Sequence, residues 1–200
     1  KGIESYNVRL GSGRLEDITH PFLGSSYLAV RPDGQRIASV TNPAYEVTIW
    51  DTRGRLERII RRPEGRRIAT QQDRAWGDSI MAVELYMNAR SPRDSSRVRE
   101  AMSLYRAPDT LDATTRLVYA QNGELWVQQP GFPWNGARVW DVYTDDGHLR
   151  GSVVTPHGLL TVTAVGDDYI LGIHLTDDWI QTVRLYPLKE KGREGPPTQK

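Results

Sequence analysis

Two stretches of this 200-residue chain follow one plan: VTIWDTRGRLERIIRRPEG at 47–65 and WDVYTDDGHLRGSVVTPHG at 140–158. When they are aligned on the glycines Gly54 and Gly147, apolar residues alternate before each glycine. A proline, Pro63 or Pro156, follows nine residues after it. The alternation predicts a strand on each side of the glycine, and proline ends the second strand because it cannot donate to the ladder. The repeated unit is therefore a β-hairpin.

Three of the remaining segments predict further hairpins beside these two. YLAVRPDGQRIASV at 27–40 turns at Asp-Gly, and RLVYAQNGELWVQQ at 116–129 turns at Asn-Gly. LTVTAVGDDYILGIHL at 160–175 turns at Gly-Asp-Asp. Asparagine, aspartate and glycine reach positive φ at low cost, which makes these dipeptides strong hairpin signals. A fainter copy, YNVRLGSGRLEDITHP, occupies 6–21.

Pairs of hairpins repeating at about 40–50 residues are typical of β-propeller blades. We therefore predict an all-β fold, with three and a half four-stranded antiparallel propeller blades over residues 1–188. The last unit, 159–187, holds only three strands. A closed ring needs about four to eight blades, so we expect further blades, N-terminal to this chain, to complete it. The alternative is a small β-sandwich with a helical insertion.

The closing segment GDDYILGIHLTDDWIQTVRLYPL, at 166–188, resembles the final blade of bacterial six-bladed β-propeller proteins of the TolB-like and NHL-like kind. NGELWVQQ at 122–129 and ARVWDVYTDDGHLRGSVVTP at 137–156 resemble the blade before it. The resemblance implies a six-bladed propeller of which this chain is the C-terminal part. It also implies an exported, periplasmic or extracellular bacterial protein, but it names no ligand.

The composition excludes several classes of function. With 26 Lys and Arg against 25 Asp and Glu, the chain has no basic excess to attract nucleic acid. The chain has no cysteine, which removes disulfides, thiolate metal sites and cysteine nucleophiles. No apolar run approaches the roughly 20 residues of a transmembrane helix. We expect no transmembrane segment and no nucleic-acid partner.

The strand pattern stops over residues 66–110, where we predict a helical insertion. Thr70 and Asp73 match a capping box, and apolar residues then recur at helical spacing. A second helix is predicted after the SPRD break at 91–94. These helices are expected either to shield strand ends or to cover a binding surface. The polar tail 189–200 is predicted to be disordered.

A shared topology places several loops at one end of the predicted sheets, where rigid scaffolds commonly bind ligands. PGFPWNG at 130–136 offers Phe132 and Trp134 as a flat platform for a sugar or peptide, or as packing under the loop. Asp177 and Asp178 suit calcium or a self-bonded turn; we assign no metal. The candidate ligand-binding residues are His20, Phe132, Trp134, Asn135, His157, Asp177, Asp178 and Trp179.

No Walker loop, HExxH motif or Gly-x-Ser-x-Gly elbow occurs, so we assign no catalytic residue and no cofactor. We favour a non-enzymatic ligand- or protein-binding scaffold whose partner is a small molecule, a glycan or a peptide. One alternative is a lactonase-like propeller hydrolase or lyase, with its site mostly outside this chain and with His20, His157 and Asp177 contributing. A further possibility is a peptide-binding subunit that uses exposed strand edges or the helix-covered end.

Overall fold

A computed structural model describes residues 6–9, 15–18, 26–41, 45–62, 68–88, 96, 110–111, 116–129, 136–176, 178 and 180–188. Thirteen strands and one long helix lie in these segments. The elements are β1 (Tyr6–Arg9), β2 (Leu15–Ile18), β3 (Ser26–Val30), β4 (Arg36–Thr41), β5 (Glu46–Asp51), β6 (Leu56–Arg61), α1 (Gln71–Asn88), β7 (Arg116–Tyr119), β8 (Leu125–Gln128), β9 (Val139–Tyr143), β10 (Leu149–Val154), β11 (Leu159–Val165), β12 (Tyr169–Leu175) and β13 (Gln181–Pro187).

The strands form four separate sheets. Two sheets have four strands each, in the orders β3-β4-β5-β6 and β7-β8-β9-β10. A third has three strands, β11-β12-β13, and a fourth pairs β1 with β2. Each sheet is built from consecutive strands, and its described pairings are antiparallel. The predicted hairpins and the predicted three-stranded last unit are thereby confirmed.

The repeat seen in the sequence is also a repeat in hydrogen bonding. In the β5–β6 turn, the Gly54 N–H donates to the Asp51 carbonyl at 3.0 Å. In the β9–β10 turn, the Gly147 N–H donates to the Thr144 carbonyl at 2.8 Å. The two glycines have φ of 74° and 82°, a region that residues with a Cβ rarely occupy. Glycine is therefore the residue that fits this turn position without backbone strain in both copies.

Helix α1 begins as the sequence predicts. The Asp73 carboxylate accepts the Thr70 backbone N–H at 2.9 Å, and the Thr70 hydroxyl accepts the Asp73 N–H at 3.2 Å. This reciprocal pair is a capping box, which satisfies N–H groups that have no partner within the helix. Of the predicted second helix, the structure describes only Ser96, which is helical. The tail 189–200 lies outside the described residues.

A shared hydrophobic core joins the sheets β7–β10 and β11–β13. Trp126 and Trp140 lie in it with ring centroids 6.3 Å apart and planes tilted by 57°. Such tilted pairs add to the stabilisation that comes from burying the rings. The core residues are Ala120, Trp126, Trp140, Val142, Leu159, Val162, Val165 and Ile170.

The chain divides into two compact units. Strands β7–β13 belong entirely to the second unit, and α1 belongs to the first. Strands β3–β6 contribute residues to both units. The first unit comprises Lys1–Tyr27, Val40–Val47 and Ile59–Thr115, and the second comprises Leu28–Ser39, Thr48–Arg58 and Arg116–Lys200.

The prediction of a closing propeller is not met by the described strands. They form open antiparallel sheets of four, four, three and two strands, and none of these sheets closes. The signals behind the prediction are Gly turns, alternation and a terminating proline. These are local requirements of antiparallel hairpins, so they specify a mostly β chain and its hairpins without specifying a ring.

In the described segments, no helix has both the length and the hydropathy needed to span a membrane.

Candidate functional site

Most of the predicted ligand-binding residues lie outside the described part of the chain. These are His20, Phe132, Trp134, Asn135, Asp177 and Trp179. The other two, His157 and Asp178, are exposed. Within the described segments, neither side chain forms a hydrogen bond or an ion pair. The structure therefore leaves the predicted ligand-binding set as a prediction.

His157 and Asp178 do lie at the same end of the sheet β11–β13, as the topology predicts. The Leu175 N–H, at the end of β12, donates to the Gly158 carbonyl at 2.8 Å. This bond holds the connection that carries His157 against the turn that carries Asp178. The turn itself is closed by Thr176, whose hydroxyl accepts the Ile180 N–H at 3.1 Å.

His174, near the same end, has a structural partner. Its Nδ1 lies 2.6 Å from the Tyr186 hydroxyl on the neighbouring strand β13. The Gly158 backbone packs on the imidazole so closely that a Cβ there would lie 2.5 Å from the ring Cε1. This half-buried histidine is held by its own sheet, which indicates a structural role.

Asp141 is a fully buried carboxylate in the sheet β7–β10. Gln129 donates to it at 2.7 Å and Ser152 at 3.0 Å. Buried charge is tolerated when it is hydrogen-bonded in this way. No group of three or more histidine, aspartate or glutamate side chains in the described residues has the arrangement of a metal site.

The opposite end of the sheets carries a charge network that the sequence did not reveal. Asp145, in the β9–β10 turn, accepts a hydrogen bond from Arg36 Nη1 at 2.6 Å and lies 3.2 Å from Arg31 Nη1. Its backbone carbonyl accepts Arg58 Nη1 at 2.7 Å. Arg36 also pairs with Glu57 at 2.6 Å. Asp145 lies in a turn of β7–β10, but its partners Arg31, Arg36 and Arg58 belong to the segment of the sheet β3–β6.

Tyr119 lies beside this network, and its hydroxyl has no hydrogen-bond partner in the described structure. The residue is 8% exposed, and burial raises the pKa of its hydroxyl to about 12. Arg36 and Arg31 oppose that rise, since a nearby positive charge favours the phenolate. The cations are already paired with carboxylates, so we read the cluster as a structural link between sheets and not as a ligand site.

Among the described strands, β13 forms the outer edge of its sheet, and two hydrogen bonds fix the direction of its backbone groups. The Thr176 N–H donates to the Ile180 carbonyl at 3.0 Å, and the Leu188 N–H donates to the Asp168 carbonyl at 2.8 Å. Because bonded pairs alternate in an antiparallel ladder, Thr182, Arg184 and Tyr186 bond to β12. The backbone groups of the intervening residues, Gln181, Val183 and Leu185, point away from the sheet.

On the sheet face that points away from the core, β13 carries exposed apolar side chains. Val183 is 73% exposed and Leu185 is 61% exposed. They lie opposite Ile173 and Leu171 of β12, on the face that does not contribute Ile170 to the core. The pairing of β12 with β13 runs over seven residue pairs without a register shift. The edge is therefore long, regular and partly apolar, which is the form that other strands can pair with.

Comparison with known proteins does not show which family this chain belongs to. No protein-family model and no curated protein matches it. Among solved structures, it is similar to a member of the DUF4221 family from Bacteroides vulgatus. The TM-score is 0.42 and the identity is 8%, over 88% of this chain. The chain spans about half the length of that protein, 53%, and a likeness this weak carries no argument about function.

The resemblance to TolB-like and NHL-like propellers is wrong as a family assignment. No protein-family model matches the chain, and the described sheets are not closed. The motifs that carried the resemblance are turn residues and alternating apolar residues, which any antiparallel hairpin requires. The periplasmic or extracellular location rested on that resemblance and stays a prediction. So does the hydrolase or lyase alternative, for which only His157 of the three named residues is described.

Proposed function

We propose that this chain is a non-enzymatic binding module that captures an extended segment of a partner protein by adding it as a strand to β13. The observation that carries the proposal is the outward direction of the backbone groups of Val183 and Leu185 on an exposed sheet edge. Main-chain hydrogen bonds provide the affinity in this mode of recognition, and alternate side chains provide the selectivity.

The chain's own sheets support the proposal. In β3–β6 and β7–β10, the third strand is covered by a fourth, β6 against β5 and β10 against β9. In β11–β13 the strand in the third position, β13, pairs with β12 alone among the described strands. The edge of β13 thus corresponds to the strand edges that a fourth strand covers in the sheets β3–β6 and β7–β10.

The protection of β13 is incomplete. Natural edge strands are commonly blunted by charged residues, bulges or prolines. Within β13, the one charged residue is Arg184, and Pro187 removes a donor only at the end of the strand. Among the described strands, none pairs with the outward N–H groups of Gln181, Val183 and Leu185.

The test is titration of the ¹⁵N-labelled protein with a capped neutral peptide, acetyl-Thr-Val-Gln-Val-Thr-amide, followed by NMR. We expect saturable shifts centred on the amides of Val183 and Leu185. Val183→Pro should abolish them, because proline removes one outward donor and none of the bonds to β12. Val183→Thr is the matched control, since it keeps the N–H and the β-branched shape and should retain the shifts.

Two outcomes would reject strand addition at β13. Shifts confined to the residues around His157 and Asp178 would assign binding to the loop end and reject the edge. A peptide that binds Val183→Pro as tightly as the native protein would also reject strand addition. Equal thermal stability of the native protein and Val183→Pro, measured by circular dichroism, establishes that loss of binding is not loss of fold.

A further inference from the structure

Arg184 lies at the centre of the proposed docking edge. It is exposed, and no ion pair involves it among the described residues. The residue opposite it on β12 is Gly172, which has no side chain that could pair with the guanidinium. An exposed arginine at this position can meet a side chain of a further strand added beside β13.

The two complete sheets show how this chain treats a charged residue on a third strand. Glu46 of β5 pairs with Arg61 of β6, with Nε and Oε2 2.8 Å apart. Asp141 of β9 accepts a hydrogen bond from Ser152 of β10, the residue directly opposite it, at 3.0 Å. For Glu46 and Asp141, the fourth strand supplies a polar complement. For Arg184, the complement is a carboxylate.

The backbone register determines where that carboxylate lies. Since the N–H groups of Val183 and Leu185 point outward, these residues would form hydrogen-bonded pairs with an antiparallel partner strand. Arg184 would then occupy a non-hydrogen-bonded pair, in which facing side chains are closest. The partner's residues opposite Val183 and Leu185 would lie on the other face, beside exposed apolar side chains.

We infer that β13 selects an antiparallel extended segment of the pattern apolar–acidic–apolar, with the acidic residue opposite Arg184 and the apolar residues opposite Val183 and Leu185. The inference rests on the proposed function, which supplies the strand addition itself. It adds the chemical class of the partner segment and its orientation.

A charge-exchange experiment tests the inference. The probes are acetyl-Thr-Val-Glu-Val-Thr-amide and acetyl-Thr-Val-Lys-Val-Thr-amide, each titrated into the native protein and into Arg184→Glu. We expect the glutamate peptide to bind the native protein about fivefold more tightly than the lysine peptide, the size of effect expected of one cross-strand charge pair. The order should reverse with Arg184→Glu. Both differences should shrink as salt is added.

The control variant is Arg53→Glu, which makes the same change of net charge at an exposed turn outside the sheet β11–β13 and should keep the native order. Equal affinities for both peptides in every variant, with binding still lost in Val183→Pro, would overturn the acidic selectivity and leave strand addition standing. Absence of binding by either peptide to any variant would overturn the proposed function and this inference together.

Discussion

The Arg36 guanidinium donates a 2.6 Å hydrogen bond to the carboxylate of Asp145, a residue 109 positions later in the chain. The same contact raises the pKa of Arg36. It joins the first strand pair of one four-stranded sheet to the turn of the next. The Asp145 backbone carbonyl, bonded to Arg58, belongs to the same junction. Arg36 and Asp145 are both partly exposed. Solvent screening therefore limits the free energy of interaction between their charges.

A double-mutant cycle should detect this junction. We expect Arg36→Met and Asp145→Ala to be coupled by about 0.5–1 kcal/mol in the free energy of unfolding, the range for partly exposed pairs with good geometry. Urea unfolding of the four variants provides the measurement. Asp146→Ala is the control, because the adjacent Asp146 side chain pairs with Thr144 and His148 within its own turn and should not couple to Arg36. Additive effects of the first pair would contradict the assignment.

The two equivalent turn glycines should differ in their tolerance of alanine. Gly54→Ala should cost about 1 kcal/mol, the strain of a Cβ at positive φ, since its surroundings are open. Gly147→Ala should cost more, because its Cβ would lie 2.6 Å from Arg58 Cδ and that side chain must move. Equal losses, measured by thermal unfolding, would show that Arg58 is not held at the β9–β10 turn.

Tyr119→Phe should leave stability unchanged or raise it by about 1 kcal/mol, because a buried hydroxyl without a partner is a cost that phenylalanine removes. The dependence of stability on pH above 10 should also differ between the native protein and Tyr119→Phe. The pKa of Tyr119 in the fold is about 12, against an ordinary value of 10.0. The free energy of unfolding of the native protein should therefore be unaffected by this group below pH 10 and should fall as pH rises through 12, and Tyr119→Phe should lack that fall. A clear loss of stability in Tyr119→Phe at neutral pH would mean that the hydroxyl has a partner.

Hydrogen exchange should alternate along β13. The N–H groups of Thr182, Arg184 and Tyr186 bond to β12 and should be protected. Those of Val183 and Leu185 point outward and should exchange faster in the free protein. Addition of the glutamate peptide should slow exchange at these two positions selectively. Uniform protection along the strand of the free protein would show that its outer edge is already covered.

How far the sequence predicts this fold depends on the range of the interactions involved. The hairpins at Gly54 and Gly147 are predictable, because positive φ, alternation and a terminating proline act within a few residues. The capping box of Thr70 and Asp73 is predictable for the same reason. The closed propeller is not, since identical hairpins serve any antiparallel sheet.

The candidate site divides in the same way. The sequence alone determined that the last sheet has three strands and that His157 and Asp178 share one end of it. Only the tertiary structure decided that Asp145 links two sheets and that Val183 and Leu185 turn their backbone groups outward. Local hydrogen bonding determines strands and turns. The register of a ladder and the partners of a charge depend on chain segments brought together by folding, and these leave no local signal in the sequence.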